Sequence, residues 1–567
     1  MSHSRWQMPS RLPAESPSFP GRIEAGMDLP PLLAQLLYNR GITDPALIDS
    51  FLAADERLLN DPFLLPDMDK AIARVYRALL SGETIAIYGD FDADGITATA
   101  LLTQGLSSLG GRAVPYIPHR IEEGYGLNHT ALENLYKQGV SLVITVDCGI
   151  SGAPEVERAR RMGLDIVITD HHTVPRQMPP AIATVDPKRA DSSYPFPELA
   201  GVGVAFKLLQ ALLSSVGKEK DLAQFLDLVA LGTVADMVPL LGENRYLVKR
   251  GLEVLHNTSR LGLREMARRA GVPLSSIDTE AISWVLGPRL NAAGRLDHAI
   301  ISYDLLSTDS SEEAQRLASL LEGKNAERQR LTEAVFDKAR EKLIATGTDP
   351  PLLMVGGEDF PSGVVGVVAG RLVEEFYRPV VVFERGKEWS KGSGRSIPEF
   401  DIIAALTDCS DLLSRFGGHP MAAGFTIATE DLERLQGCLL AIAANRLVSL
   451  DLRPMIPIDA EIPLSSLQGK TFGMMQQLAP FGCANHYPTF ISRDVIVVDC
   501  RSVGSRGEHL RLKLRDGDVT WDSIAFRMGN LIDEVAPRLD IVYNLEVDQW
   551  RGGEMLQLNI LDFASST

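Results

Sequence analysis

One stretch limits what this chain can be. Residues 85–102 read Ile-Ala-Ile-Tyr-Gly-Asp-Phe-Asp-Ala-Asp-Gly-Ile-Thr-Ala-Thr-Ala-Leu-Leu. The apolar run Ile85–Tyr88 predicts a buried parallel strand, and a helical pattern follows from Thr97 through Leu106. The turn between them carries Asp90, Asp92 and Asp94 and closes on Gly95. In an open α/β sheet, ligands gather beyond the carboxyl ends of the strands, which is where such a turn lies. Three acids this close raise one another's pKa unless a cation neutralises them. Taken alone, the stretch also reads as a polar turn with helix-capping aspartates.

The pattern recurs. Leu142–Val146 reads as a second buried strand ending in Asp147-Cys148-Gly149, and Ile166–Thr169 as a third ending in Asp170-His171-His172. Glu155–Met162, between them, reads as an exposed helix. A fourth apolar segment, Leu226–Leu231, leads into Gly232-Thr233-Val234-Ala235-Asp236, and here the pattern does not separate helix from strand. Acids and histidines delivered repeatedly to strand ends are what the active site of a parallel sheet requires. Asp92, Asp94, Asp147, His171 and Asp236 form a hard, oxygen-rich donor set with one imidazole, which suits Mn²⁺ or Mg²⁺ better than zinc. Five such side chains exceed what a single Mg²⁺ normally takes, so two ions are expected, about 3.5–4 Å apart as in phosphoryl-hydrolysing centres. Asp90 is either a further ligand or a supporting group. His172 would point away from His171 and could donate to a phosphate oxygen, or be a structural histidine; Asp170 is expected to orient rather than ligate.

The chain has 567 residues, too many for one core, which predicts several domains. No apolar stretch is long enough to span a bilayer, and the N-terminus lacks a signal-peptide pattern. The five cysteines are scattered without a Cys-x-x-Cys pair, which predicts a reducing, cytoplasmic setting with neither disulfides nor a thiolate zinc site. A net charge of −18 argues against a protein that coats nucleic acid non-specifically, yet leaves room for a nuclease with a local basic groove.

The expected organisation is α/β. Residues 1–60 form an N-terminal extension, loose over 1–30, with short helices at Leu32–Tyr38 and, beyond it, Met68–Leu80. A parallel-sheet catalytic domain spans 61–305, and a long connecting helix occupies 306–346, with Leu317, Leu320 and Leu321 on one face. A second α/β domain spans 347–450, with strands near Leu352–Val355 and Val380–Phe383 and glycine-rich turns at Gly392–Gly394 and Gly417-Gly418. Residues 451–567 change to short alternating strands, a small β-barrel. There His509–Arg515 alternates leucines with Arg511, Lys513 and Arg515. This basic row, with Trp521 and Phe526 close by, reads as a single-strand platform or as a solvated sheet face. Lys324, Arg328 and Arg330 line the same path or sit on a plain exposed helix.

Gly-Asp-Phe-Asp-Ala-Asp-Gly at 89–95, Val-Asp-Cys-Gly at 146–149, Asp-His-His at 170–172 and Gly-Thr-Val-Ala-Asp-Met-Val-Pro-Leu at 232–240 resemble, in order, the four motifs of the DHH phosphoesterase family. Gly-Pro-Arg-Leu-Asn-Ala-Ala-Gly-Arg at 287–295 and Gly-Gly-His-Pro-Met-Ala-Ala-Gly at 417–424 are similar to its bacterial RecJ branch. The likeness runs from about Asp61 to the C-terminus. It implies a DHH domain, a DHH-associated domain closing a cleft too narrow for duplex, and an OB-like barrel. It implies metal ligands at Asp92, Asp94, Asp147, His171 and Asp236, with His172 facing the scissile phosphate. It also implies a 5′-phosphate pocket from Arg289, Ser393 and Arg395, strand contacts from Arg120 and Tyr125, and substrate contacts from Arg295 and His419. The activity implied is 5′→3′ hydrolysis of single-stranded DNA to mononucleotides in repair and recombination, with single-strand-binding protein and a helicase as partners; nothing in the sequence demands more than a monomer. A phosphodiesterase for short oligonucleotides or cyclic dinucleotides and a non-catalytic DNA-binding relative are the alternatives; the C-terminal barrel and the intact acids speak against them. One departure stands out: Pro480-Phe481-Gly482-Cys483-Ala484-Asn485-His486 carries Ala484 and His486 where the family usually has Gly and Pro.

Overall fold

A computed structural model describes residues 3–9, 29–120, 122–347, 350–467, 469–548 and 555–566. The chain forms two units: Met1–Asn291 with Ala299–Ala318 and Met455–Thr567, and Ala292–His298 with Ser319–Pro454.

The first unit is built on a five-stranded parallel sheet in the order Arg112–Tyr116, Thr84–Tyr88, Val140–Val146, Asp165–Thr169, Ala183–Val185. The three central strands are those the apolar runs predict. The two edge strands escape that reading: Arg112–Tyr116 contains a proline and is half exposed, and Ala183–Val185 has three residues. The ambiguous segment is a helix, Leu226–Ala235, buried from Leu226 to Val234. Burial on every side erases the amphipathic period that separates helix from strand. It lies against the helix Ala93–Ser108, and a β-carbon at Gly232 would come within 2.4 Å of Thr97 Oγ1.

The C-terminal part of this unit is a barrel of Phe490–Val503, His509–Asp516, Val519–Ala525, Leu556–Ser565 and Arg538–Val547. Phe490–Val503 closes it by pairing with Arg538–Val547 through its first half and with His509–Asp516 through its second. Its core takes in more than the barrel. Helices Pro31–Asn39 and Pro45–Ala53 contribute Leu33, Leu36, Leu37, Ile48 and Phe51 to the cluster that holds Leu464, Phe490, Leu510, Leu512 and Leu514. Within the expected N-terminal extension, these two helices thus share the barrel's core. Of the stretch expected to be loose, Arg5–Gln7 pairs in parallel with Met455–Pro457, and residues 10–28 lie outside the described residues.

The second unit carries a five-stranded mixed sheet in the order Leu413–His419, Ala422–Ala428, Trp389–Arg395, Val380–Glu384, Leu353–Gly357. The expected glycine-rich turns are strand interiors. Gly392 and Gly394 leave room for neighbours, because their β-carbons would meet the Phe425 ring at 2.3 Å and Ile402 Cγ1 at 2.8 Å. The expectation of no disulfide is also corrected: Cys409 and Cys438 are bonded, S–S 2.25 Å. The predicted long helix is Ser311–Thr346, and the division between units falls within it. Leu317 and Leu321 are buried, whereas Leu320, expected on the same face, is exposed. Among the described residues, no helix is long and apolar enough to cross a membrane.

Candidate metal centre

The first acidic turn leaves the strand Thr84–Tyr88 and enters the helix Ala93–Ser108. Asp92 serves both readings of this turn. Its Oδ1 accepts the Asp94 and Gly95 amides at 3.0 and 3.2 Å as a helix cap, and its carboxylate also faces Asp90 and Asp147. Gly95 is obligatory, since a β-carbon there would sit 2.6 Å from the Asp90 backbone. Asp94 is fully buried and accepts the Gly201 and Val202 amides at 2.6 and 2.8 Å, at the start of the helix Gly201–Ser214. Asp147 ends the strand Val140–Val146 with φ +60°, a strained backbone of the kind that gathers at functional sites. Gly201 makes space for it, because a β-carbon would stand 2.5 Å from Asp147 Cβ.

His171 Nε2 lies 3.1 Å from Asp147 Oδ1, 3.6 Å from Asp236 Oδ2 and 4.0 Å from Asp94 Oδ2. Despite this closeness, His171 Nε2 and Asp147 Oδ1 have no hydrogen-bond partner, nor has the buried Asp90 Oδ1. Buried polar atoms that converge without bonding one another await a cation. Three sets hold donor atoms close enough to share an ion: Asp90, Asp92 and Asp147; Asp94, His171 and Asp236; and Asp147, His171 and His172. All six acids and histidines expected as ligands fall in these sets, Asp90 included.

The electrostatics agree. Burial, then the Asp92 charge, pushes Asp94 up to about 7, and burial with Asp94 and Asp92 pushes Asp236 up to about 9. Burial and neighbouring carboxylates hold Asp90 and Asp147 well above the usual range. Burial and the adjacent His172 push His171 down to about 3, leaving the neutral imidazole that a metal requires. The donor set fits a pair of hard divalent ions, which would return these acids to their ionised form.

Asp170 is wholly buried and bonds the backbone of both histidines and the His172 ring. Its Oδ1 accepts from the His171 amide, the His172 amide and His172 Nδ1 at 2.8, 3.1 and 2.8 Å, and its Oδ2 from the Ile150 amide at 2.9 Å. Burial penalises the His172 charge, but its bond to Asp170 outweighs this and raises its pKa overall. Tyr125 Oη stands 3.2 Å from His172 Nδ1. The Arg120 guanidinium lies 4.8 Å from the centre of the Phe91 ring, over the acidic turn. Arg289 donates to the Val285 carbonyl at 2.9 Å.

In the second unit, Arg295 donates to the Gly363 carbonyl at 3.4 Å. Arg395 donates to Ser393 Oγ at 2.8 Å, both side chains on one face of their strand. Cross-strand register carries that face from Arg395 over Ala422 to His419, and from Ser393 over Gly424 to Gly417. Above Gly417 a β-carbon would meet nothing within 4 Å, so small residues floor an open platform between Arg395 and His419. Lys324 pairs with Asp297 at 3.1 Å and Arg328 donates to Asn325 at 2.9 Å; Arg330 is exposed.

On the barrel, Arg511, Lys513 and Arg515 form one face with Ile524, Asp522 and Thr520 as their cross-strand partners. Trp521 is opposite Leu514 on the core side and donates to the Leu464 carbonyl at 3.2 Å, so it is no stacking partner for the basic row. Phe526, edge-on to His509 at 5.4 Å, remains exposed at the end of that row.

Three features went unread in the sequence. Asn291 Oδ1 accepts the Ala93 amide at 2.8 Å and steadies the acidic turn. Asp186 follows the edge strand Ala183–Val185, is wholly buried, and leaves Oδ2 unpartnered; burial pushes it up to about 7. Lys188, two residues on, is half-buried, and its charge opposes the upward shift of Asp236. The signal was the strand-then-acid pattern, here compressed into Ala-Thr-Val-Asp.

The DHH family N-terminal domain matches residues 84–233, the DHHA1 domain 349–445 and the RecJ OB domain 458–562. The chain is 38% identical over 544 residues to the single-stranded-DNA-specific exonuclease RecJ of Bacillus subtilis, covering 95% of this chain and 69% of that protein. It is 35% identical over 555 residues to the protein of the same name from Dickeya dadantii, covering 94% and 96%. The crystal structure of RecJ in complex with Mn²⁺ from Thermus thermophilus superposes with a TM-score of 0.85 at 30% identity, covering 99% of this chain and 80% of that one. With its three domain models matched along the chain and this identity over nearly its whole length, the chain belongs to the RecJ family of DHH-domain proteins.

Proposed function

We propose that the chain is a metal-dependent exonuclease that hydrolyses single-stranded DNA from the 5′ end to 5′-mononucleotides, in DNA repair and recombination. The observation that carries this reading is the convergence of Asp90, Asp92, Asp94, Asp147, His171 and Asp236 with their unpartnered donor atoms. It is supported by relatives named single-stranded-DNA-specific exonuclease RecJ across about 95% of the chain. RecJ structures described with Mn²⁺ and with Mg²⁺ support either ion as the cofactor.

Two ions held by these residues would supply Lewis acidity toward water and phosphate oxygens. The protein's share is to hold the scissile phosphate. Asp170 fixes the His172 ring and favours its charged form, so that it donates to a phosphate oxygen. Arg120, over Phe91 of the acidic turn, and Tyr125, beside His172, contact the strand. Arg289, and separately Ser393 and Arg395 on their open platform, are the groups we assign to the 5′-phosphate, with Arg295 and His419 as further substrate contacts; a planar guanidinium can take two oxygens at once. Recognition of a terminal phosphate accounts for 5′ polarity. Arg511, Lys513 and Arg515 track the backbone farther along. A cytoplasmic monomer that cooperates with single-strand-binding protein and a helicase completes the reading.

Asp147→Ala decides the matter. Its expected effect is loss of at least about three orders of magnitude in Mn²⁺-dependent cleavage of a 5′-phosphorylated single strand, on the scale of removing an essential catalytic group. Circular dichroism should stay as in wild type. Cleavage at the wild-type rate would refute the site.

A further inference from the structure

Residues 279–291 run past the metal centre and touch it twice. Asn291 bonds the Ala93 amide, between Asp92 and Asp94, and Gly287 packs where a β-carbon would stand 3.6 Å from Ala235 Cβ, next to Asp236. Just ahead of Gly287 the helix widens into a π turn, Ile282–Leu286. Such turns are rare and concentrate at functional sites. Within it Ile282 and Leu286 are buried, while Trp284 is 73% exposed. Across Ala235 and Asp236 comes Met237, also 72% exposed, with φ +59°. A left-handed backbone is unfavourable for a methionine, so the strain sits on the residue directly after Asp236. Two large apolar side chains are thus presented to solvent from the two segments that meet beside one proposed metal ligand. Neither Trp284 nor Met237 has a hydrogen-bond, ring or cation partner for its side chain among the described residues.

We propose that Trp284 and Met237 form a stacking subsite for an unpaired nucleobase of the strand whose phosphate lies at the metal centre. This rests on the exonuclease reading above and deepens it by assigning a base-binding element. A base in a single strand exposes its π face, whereas a paired and stacked base in a duplex does not, so the subsite favours single strands irrespective of sequence. The indole supplies the flat surface, and the polarizable thioether adapts to purine or pyrimidine. An aromatic residue stacked on a base contributes roughly 5- to 150-fold to binding when judged by its replacement with alanine.

The test uses the full chain, Mn²⁺ and 5′-phosphorylated oligonucleotides in which one abasic nucleotide is moved along the strand. In wild type, one position should show a KM raised about tenfold by loss of its base, within the range for a single stacked base. Trp284→Ala should raise KM for the intact strand by a similar factor, with Mn²⁺ affinity and thermal midpoint as in wild type, and the sensitive abasic position should become indifferent. Trp284→Phe should restore both, and Met237→Ala should show a smaller version of the same pattern. Wild-type KM in Trp284→Ala, or losses from base removal and from Trp284→Ala that simply multiply at every position, would overturn the subsite while leaving the nuclease intact. Failure of the wild-type chain to cleave any single strand would overturn both readings together.

Discussion

At the scale of single residues, the acids are informative because each follows a short apolar run, and chemistry follows from position. Without metal, the cluster works against the fold. Asp94 and Asp236 have folded-state pKa values of about 7 and about 9, above those of unfolded aspartate, so the folded protein binds more protons there. That stabilisation is complete at low pH and is lost as pH rises through the folded values, with a limiting slope of about 1.4 kcal/mol per pH unit per group. EDTA-treated protein should therefore lose thermal stability from about pH 4, where unfolded aspartate ionises, up to about pH 9, most steeply below pH 7 where both groups contribute, and saturating Mn²⁺ should flatten the profile. Scanning calorimetry over that range checks both. Ala484, which replaces the family's usual glycine, sits at φ +59° in a turn closed by the Gly482 and Asn485 backbone groups. The turn survives at the expense of a conformation that disfavours any β-carbon, and Ala484→Gly should raise stability by about 1 kcal/mol in urea titration. Asp186 and Lys188 stayed hidden because a three-residue strand is too short to announce itself.

At the scale of elements, the helix Gly201–Ser214 presents its first amides to Asp94 and is anchored one to two turns later by a buried ion pair. Lys207 Nζ lies 2.8 Å from Glu243 Oε1 with both side chains wholly buried; Tyr194 Oη donates to the same carboxylate, and Asn60 Nδ2 reaches it at 3.0 Å. Removing one partner strands the other charge. Lys207→Met should cost about 3–5 kcal/mol, and adding Glu243→Gln should recover part of it, as a double-mutant cycle in denaturant would measure. The three central strands were legible because parallel strands are continuous apolar runs. Leu226–Ala235 was ambiguous because burial all round removes periodicity, and the strands through Gly392–Gly394 and Gly417-Gly418 read as turns because glycine there answers to neighbouring side chains and open space rather than to a bend.

At the scale of the whole molecule, sequence adjacency and shared core part company. The domain order was readable from shifts of pattern, but the destination of the first helices was not, since nothing in Leu33, Leu36 and Leu37 names their partners. A chain ending at Pro454 would expose those leucines with Ile48 and Phe51, and should aggregate. Removing residues 1–54 as well should restore a monodisperse species, as light scattering would show. The same arrangement sets a schedule on the ribosome. Amphipathic helices made early must wait for strands made roughly 500 residues later, which at synthesis rates of about 5–20 residues per second is on the order of half a minute or more. During that interval the nascent chain offers an unburied greasy surface, so chaperone dependence in synthesis is written into the topology before any nucleotide is met.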